Sequence, residues 1–251
     1  MVVYAVSLLS GGLDSTTVTT YAREHSDHLT GLTFEYGQTH SKEVKCASKI
    51  AGILGIQHRV VDISFIRELA WYSALTNPDA FNVPTDTPDI GTSIPITYVP
   101  LRNTIFVSMA AALLESIILS AIEVDGIAAE DIRSVIYLAP NAIDYSGYPD
   151  CRPEFYDQVR RSLYLGSKIG ASYDISFEIE TPIIELSKAE IVTMALAIKA
   201  PIEHTWSCYL GGDAPCGKCD SCRLRAKGFE EANVIDPVSY THLTLPTNRE
   251  V

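Results

Sequence analysis

"VVYAVSLLSGGLDSTTVTTYAREH", residues Val2 to His25, decides the fold. Val2 to Leu9 is an apolar run of strand length. Asp14 to His25 reads as a helix, and Ser10-Gly11-Gly12 joins the two. A buried strand that leaves through two glycines into a helix start makes an anion site. Glycine permits positive φ and close approach of a ligand to the main chain. Successive N–H groups and the positive end of the helix then face the ligand. The hydroxyls of Ser10, Ser15, Thr16 and Thr17 are further donors. Asp14 would repel a bare phosphate; beside a nucleotide it fits as a helix N-cap or as a partner for Mg²⁺. The pattern lacks the lysine of G-x-x-x-x-G-K-[ST] and is not G-x-G-x-x-G.

Working outward, strand-like Leu29–Phe34 and His58–Ile63 alternate with helix-like Ser41–Leu54. Such alternation predicts parallel strands with crossover helices. The expected fold is α/β: a Rossmann-like parallel sheet with helices on both faces, and the ligand at the C-terminal ends of the strands. Ser73 to Pro100 has no clear period and holds Pro78, Pro84, Pro88, Pro95 and Pro100, which fits a lid over a site or a surface loop. Further along, a helix is expected over Arg102–Ala121, a strand over Ser134–Leu138 and a helix over Glu154–Leu165. A strand over Tyr173–Ile179 and a helix over Ser187–Lys199 follow. No internal repeat is found. The expected organisation is an α/β ligand-binding domain over 1–200 and a C-terminal region of the same domain over 201–240. Thr241 to Val251 matches no preceding pattern and reads as a disordered or non-native tail.

The chain has 251 residues, enough to bury a core without disulfides. Its formal net charge of -12 argues against a large nucleic-acid footprint, though one pocket can still hold a nucleotide. The start lacks the basic flank of a signal peptide. Ile105 to Ile122 is interrupted by Ser108, Glu115, Ser116 and Ser120, which fits a buried helix better than a membrane span. A cytoplasmic location is the expectation, and there the 6 cysteines are thiols or metal ligands. Cys208, Cys216, Cys219 and Cys222 form C-x₇-C-x₂-C-x₂-C. Four thiolates in a compact loop suit tetrahedral Zn²⁺ in a closed site; an iron–sulfur cluster and a redox-active pair are the rivals. Gly211, Gly212 and Gly217 supply turns, and Lys218, Arg223 and Arg225 offset the charge of four sulfurs.

The S-G-G-x-D-S turn resembles the pyrophosphate loop (PP-loop) of the adenine-nucleotide α-hydrolase superfamily, which cleaves ATP between the α and β phosphates. With "FEYGQTH" (34–40), "VPLRNTIF" (99–106), "DYSGYPDCRPEF" (144–155) and "LSKAEI" (186–191), the chain resembles the 7-cyano-7-deazaguanine synthase family from about Val2 to Tyr240. That resemblance implies conversion of 7-carboxy-7-deazaguanine, ammonia and ATP into the nitrile, in queuosine or archaeosine precursor synthesis. It implies ATP with Mg²⁺ as substrate, held by Leu9, Ser10, Gly11, Gly12, Leu13, Asp14, Ser15, Thr16, Thr17, Val18, Thr19 and Lys188. It implies one Zn²⁺ per subunit on the four cysteines, and a homodimer. Candidate substrate contacts are Tyr36, Gln38, Arg102, Asn103, Asp144, Tyr145, Tyr148, Asp150 and Arg152. The tyrosines would stack on a flat ring, Asp144 or Asp150 would accept from its edge, and Arg102 or Arg152 would fork onto a carboxylate. Asp14 and Lys188 are the catalytic candidates, with His40 as a proton shuttle. Two departures from the family stand out: "LAPN" with Pro140 before the "DYSGYPDCR" string, and a long segment from Ser116 to Arg133. The rival readings are a tRNA-thiolation or lysidine-type enzyme and a zinc-stabilised nucleotide-binding module without turnover.

Overall fold

The computed structural model describes residues 1–36, 42–85, 94–141 and 148–238. Among them, five strands form one wholly parallel sheet in the order β3-β2-β1-β4-β5: β1 (Val2–Leu8), β2 (His28–Glu35), β3 (Gln57–Asp62), β4 (Ile132–Tyr137) and β5 (Phe177–Glu180). The central strand pairs Val6 with Thr30 on one side and with Ile136 on the other. Its alternation divides the core. Tyr4 and Val6 face α4 (Arg102–Glu123), packing with Val107, Ala111, Leu114 and Ile118. Ala5 faces α1 (Leu13–Glu24), packing with Val18 and Ala22. A strand buried on both faces is what a parallel sheet requires, and it explains the unbroken apolar run.

The helix α1 is rich in threonine yet sits in the core. Its hydroxyls are consumed locally: Thr16 donates to Gly12 O at 2.7 Å, Thr17 to Leu13 O at 2.9 Å and Thr20 to Thr16 O at 2.8 Å. Thr19 meets Ser7 of β1 at 2.8 Å. No buried hydroxyl in this group is left unpaired, so the polar composition costs little. The helix α4, with a mean hydropathy of 2.2, is long and apolar enough to cross a membrane. It lies instead along β1 and β4 with Val107, Ala110, Ala111, Leu114, Ile118 and Ala121 buried.

The remaining helices are α2 (Lys42–Leu54), the short α3 (Ile66–Leu69), α5 (Pro153–Gly166), α6 (Lys168–Tyr173), α7 (Lys188–Ala197) and α8 (Asp220–Glu231). The expected strand over Tyr173–Ile179 is corrected: Tyr173 ends α6, Asp174 turns at φ +57°, and pairing starts at Phe177. The alternating Tyr173, Ile175 and Phe177 are apolar because Ile175 and Phe177 enter the core from a turn. The helix α8 was hidden by its charged composition, which holds Asp220, Arg223, Arg225, Lys227, Glu230 and Glu231. The long segment 116–133 is the end of α4, a turn through Gly126 at φ +74° and a 3-10 turn at Ala129–Asp131. It leads into the start of β4, at the sheet edge remote from the glycine turn.

Candidate active site

Strand order reverses at β1, with β2 on one side and β4 on the other. A cleft of about 330 Å³ opens there, at the C-terminal ends of the strands. Leu8, Leu9 and Ser10 after β1, Tyr36 after β2, and Leu138, Ala139 and Pro140 after β4 line it. The first turns of α1, α2, α4, α7 and α8 reach its lining.

The glycine turn has the form its sequence requires. Gly11 adopts φ +87° and lies so close to α2 that a Cβ there would sit 2.3 Å from Glu43 O and 2.8 Å from Ala47 N. No other residue fits. Gly12 is the N-cap of α1 and has no side chain to cap with, and Thr16 N makes the first helical bond to Gly12 O at 3.1 Å. The N–H groups of Leu13, Asp14 and Ser15 precede that bond, so the helix itself supplies them no acceptor. This is an anion-binding helix start. The N-cap role expected of Asp14 is therefore corrected: Gly12 holds that position. Both Asp14 carboxylate oxygens instead accept from Lys188 Nζ, at 2.8 and 3.0 Å. Ser10 and Ser15 bond to each other at 2.9 Å beside the cleft. Thr16, Thr17 and Thr19 were expected to contact the ligand, but they are fully buried, their hydroxyls spent within the fold, and Val18 is a core residue. All four stand behind the cleft wall.

Lys188 opens α7 under a capping box. Ser187 Oγ accepts from Glu190 N, and Glu190 Oε2 accepts from Ser187 N at 2.7 Å. Its stem is 8% exposed and lies against Gly228 of α8. Three atoms of Lys188 occupy the space a Cβ on Gly228 would need.

On the opposite wall, Leu101 turns at φ +54° and delivers Arg102 into the cleft at the start of α4. A left-handed leucine is strained, a state that persists where surrounding structure enforces it. Among the described residues Arg102 makes no ion pair. Tyr36 hydrogen-bonds to it, and Tyr148, Tyr209 and Asp150 surround it, so the guanidinium stays charged despite its burial. Burial pushes the hydroxyls of Tyr36 and Tyr148 above the usual tyrosine range, so both stay neutral. Phe34, Phe106 and Tyr36 form an aromatic wall, with ring centroids 4.4 Å (Phe34–Phe106) and 5.8 Å (Tyr36–Phe106) apart.

The structure separates the other candidates. Asn103 lines the cleft and donates to Asp150 O at 3.4 Å. Asp150 is buried, and that burial raises its carboxyl, opposed by Arg102. Arg152 is exposed, outside the cleft lining, as the N-cap of α5. Of the two arginines, only Arg102 lines the cleft. Gln38, His40, Asp144 and Tyr145 lie outside the described residues.

The sequence reading missed Glu43, Asn141, Trp206 and Tyr209, all of which line the cleft. Asn141 donates to Ile183 O at 3.2 Å and Leu186 O at 2.6 Å, tying the end of β4 to the approach to α7. Trp206 N donates to Gly11 O at 2.9 Å, and its indole N–H donates to Cys208 O at 2.9 Å. Lys42 stands over its ring at 4.4 Å. The one sequence signal for Trp206 was its place two residues before the first cysteine of the cluster.

The sulfurs of Cys208, Cys216, Cys219 and Cys222 lie within 4.8 Å of one another. Backbone N–H groups aim at them: Cys216 N at Cys208 Sγ (3.3 Å), and Lys218 N and Cys219 N at Cys216 Sγ (3.4 and 3.3 Å). Hydrogen bonds from Cys219 and Cys222 hold the Cys208 thiol far below its ordinary range, while the same contacts push Cys219 and Cys222 up. Four sulfurs this close cannot all ionise unless a cation sits among them, so the set fits a metal ion. Gly211 and Gly217 make the turns at φ +65° and +69°. Arg225, expected to offset the sulfur charge, is corrected: it is buried in a two-bond pair with Asp236 at 2.6 and 2.8 Å. The proline-rich segment joins this region through a bridge between Thr85 and Cys219, while Leu75 lines the cleft and Thr97 meets the Tyr148 hydroxyl at 3.3 Å.

An anion-binding turn at the reversal point of a parallel α/β sheet, beside a four-thiol loop, defines a small-molecule enzyme of the nucleotide-binding α/β class. The family model described as "Queuosine biosynthesis protein QueC" matches residues 4–233, and the chain belongs to that family. It is 45% identical to a 7-cyano-7-deazaguanine synthase of Thermoplasma acidophilum over 94% of this chain and 91% of that protein. It is 41% identical to the enzyme so named from Oceanobacillus iheyensis, covering 94% of this chain and 97% of that one. A Synechococcus protein of the same name is 43% identical over 91% and 93%.

Proposed function

We propose that this chain is a 7-cyano-7-deazaguanine synthase, joining 7-carboxy-7-deazaguanine and ammonia to give the nitrile with ATP as activator. The observation that carries the site assignment is that one cleft holds both an uncapped helix start and Arg102, a cation with no ion pair among the described residues. The first suits phosphates and the second a carboxylate, and the aromatic wall beside Arg102 suits a flat ring.

A carboxylate resists nucleophiles because of its charge. Transfer of AMP onto it expels pyrophosphate and creates a leaving group. Ammonia attack then gives the amide, and a second activation, on the amide oxygen, lets that oxygen depart as the nitrile forms. The protein's part is placement and charge neutralisation. The α1 N–H groups and Lys188 hold phosphate oxygens. Asp14 fixes the Lys188 ammonium in the free enzyme and receives the Mg²⁺ that accompanies ATP. Arg102 and the tyrosines hold the ring acid. The four cysteines hold Zn²⁺, the ion that an all-thiolate closed site favours, and it braces Trp206 against the glycine turn. Residues 201–240 are the metal-binding part of the same domain.

We assign the enzyme to the cytoplasm, where cysteines serve as thiols or as metal ligands, as the four clustered ones here would. We assign it no nucleic-acid partner, given its charge of -12. A homodimer is proposed, supported by the exposed apolar residues Phe65, Leu69, Trp71 and Tyr72. The test is mass spectrometry of metal-loaded protein with 7-carboxy-7-deazaguanine, ammonium, Mg²⁺ and ATP. Appearance of the nitrile with AMP and pyrophosphate is expected. ATP-binding protein that makes neither amide nor nitrile overturns the reading.

A further inference from the structure

Among the described residues the cleft lining contains two carboxylates, Asp14 and Glu43. Asp14 is committed to Lys188 through both oxygens. Glu43 has no hydrogen bond and no ion pair among the described residues. It stands in the first turn of α2, the helix whose backbone presses on Gly11, so it is placed beside the phosphate turn. Across the cleft it faces Arg102 and Tyr36, and the Cys208 sulfur acts on it at longer range; Lys42 and Cys46 flank it on its own helix. An acidic side chain in the cleft lining with neither hydrogen bond nor ion pair among the described residues is costly to ionise unless a cation visits it.

We propose that Glu43 is the ammonium site of this enzyme and the base that frees ammonia for attack. The inference rests on the reading of the cleft as the place where a carboxylate is adenylated. Ammonium is a small cation, almost wholly protonated near neutrality and not nucleophilic in that form. Glu43 binds it beside Arg102, which holds the acid being activated, so donor and acceptor meet at adjacent points. The carboxylate takes one proton from ammonium. The nitrogen lone pair then forms the C–N bond to the acyl carbon. The C–O bond to AMP breaks, its electron pair leaving with the phosphate, and the nitrogen loses a second proton to solvent. Ammonium and acyl adenylate thus yield amide, AMP and two protons. Burial raises the Glu43 carboxyl to about 7, opposed by Arg102, so the group can both give and take a proton near neutral pH.

The test is Glu43→Gln in metal-loaded protein, read by three assays. Exchange of pyrophosphate into ATP, dependent on the ring acid, needs no ammonia and reports adenylation. Trapping with hydroxylamine, a nucleophile largely unprotonated at neutral pH, reports attack that needs no base. Amide formation from ammonium reports the whole step. Exchange and trapping that persist, with an ammonium rate lowered by about 100-fold, are expected. Glu43→Asp should recover part of that loss. An unchanged ammonium rate overturns the proposal. So does an equal fall in all three assays, which would make Glu43 a structural residue. Absence of exchange in the unaltered enzyme would instead overturn the reading of the cleft itself.

Discussion

Gly228→Ala places a methyl group where Lys188 now lies. A Cβ on Gly228 would sit 2.3 Å from Lys188 Cγ, 2.9 Å from its Cβ and 3.1 Å from its carbonyl carbon. Ordinary contact begins at 3.4 Å, so the stem must recede by just over 1 Å. Because two of those atoms belong to the root of the side chain and to the backbone, rotating the ammonium end does not relieve the clash. The pair with Asp14, at 2.8 and 3.0 Å, is displaced with it. In stability the change partly cancels: alanine gains about 1 kcal/mol of helix propensity, against roughly 1–3 kcal/mol for overpacking. In activity it does not, since a shift of about 1 Å at a positioned group can cost on the order of 100-fold. The expected variant is folded, with a thermal midpoint within a few degrees of the parent and kcat/KM down about 100-fold. Steady-state kinetics on metal-loaded protein measure it. In a Lys188→Ala background the same glycine change should cost nothing further, because the group it displaces is gone. A Gly228→Ala enzyme of full activity, or one that loses as much again without Lys188, would refute the reasoning.

Arg102→Gln should raise KM for the ring acid by about 10- to 100-fold, the worth of one charged hydrogen-bonded contact, while KM for ATP stays near the parent value. Equal effects on both substrates would place Arg102 elsewhere. Stripping the metal with a chelator should lower the thermal midpoint and weaken binding of a non-hydrolysable ATP analogue, because Cys208 holds the Trp206 indole and Trp206 N holds Gly11 O. The change should also appear in tryptophan fluorescence, with Trp71→Phe isolating the Trp206 signal. Glu43 sets a pH signature for stability. Its folded carboxyl is raised from 4.5 to about 7, so the stability it lends is complete below its unfolded value and is lost as pH rises through about 7. Glu43→Gln should therefore match the parent's melting midpoint near pH 4.5 and exceed it at pH 8; the reverse order would show that Arg102 stabilises the charged form.

Where the sequence was legible, a single period governed the segment. The strands β1, β2 and β4 and helices α1, α2, α4, α5 and α7 bury a face or a run, β3 shows its β-branched pair Val60 and Val61, and their bounds differ from the expected ones by a few residues. The short helices α3 and α6 have too few turns to show a period, and α8 shows mostly charge and sulfur. Its apolar share is Cys222, Leu224, Ala226 and Phe229, and its close face is a glycine that looks like a helix weakness until Lys188 is placed against it. The site divides in the same way. Ser10 to Ser15 were legible because the turn is local. Glu43 was not, because nothing in "KEVKC" says that its helix presses on Gly11. The choice between Arg102 and Arg152 needed the fold, since both follow turn-forming sequence and only one opens a helix at the strand ends. Thr16 to Thr19 looked like ligand donors because hydroxyls are, in sequence, indifferent to whether they serve a phosphate or the preceding helical turn.

The hydrogen bond from Trp206 N to Gly11 O has a consequence for how the enzyme is made. The glycine turn leaves the ribosome among the first residues, yet one of the contacts that shapes it arrives nearly two hundred residues later, and α8, against which Lys188 rests, later still. An incomplete chain can pair β1 with β2 early, but the phosphate turn stays unbraced until the cysteine loop emerges and takes its ion. On the proposed function, chains that stop short of the cysteine loop should be unable to spend ATP, and competence waits on about the last sixth of synthesis.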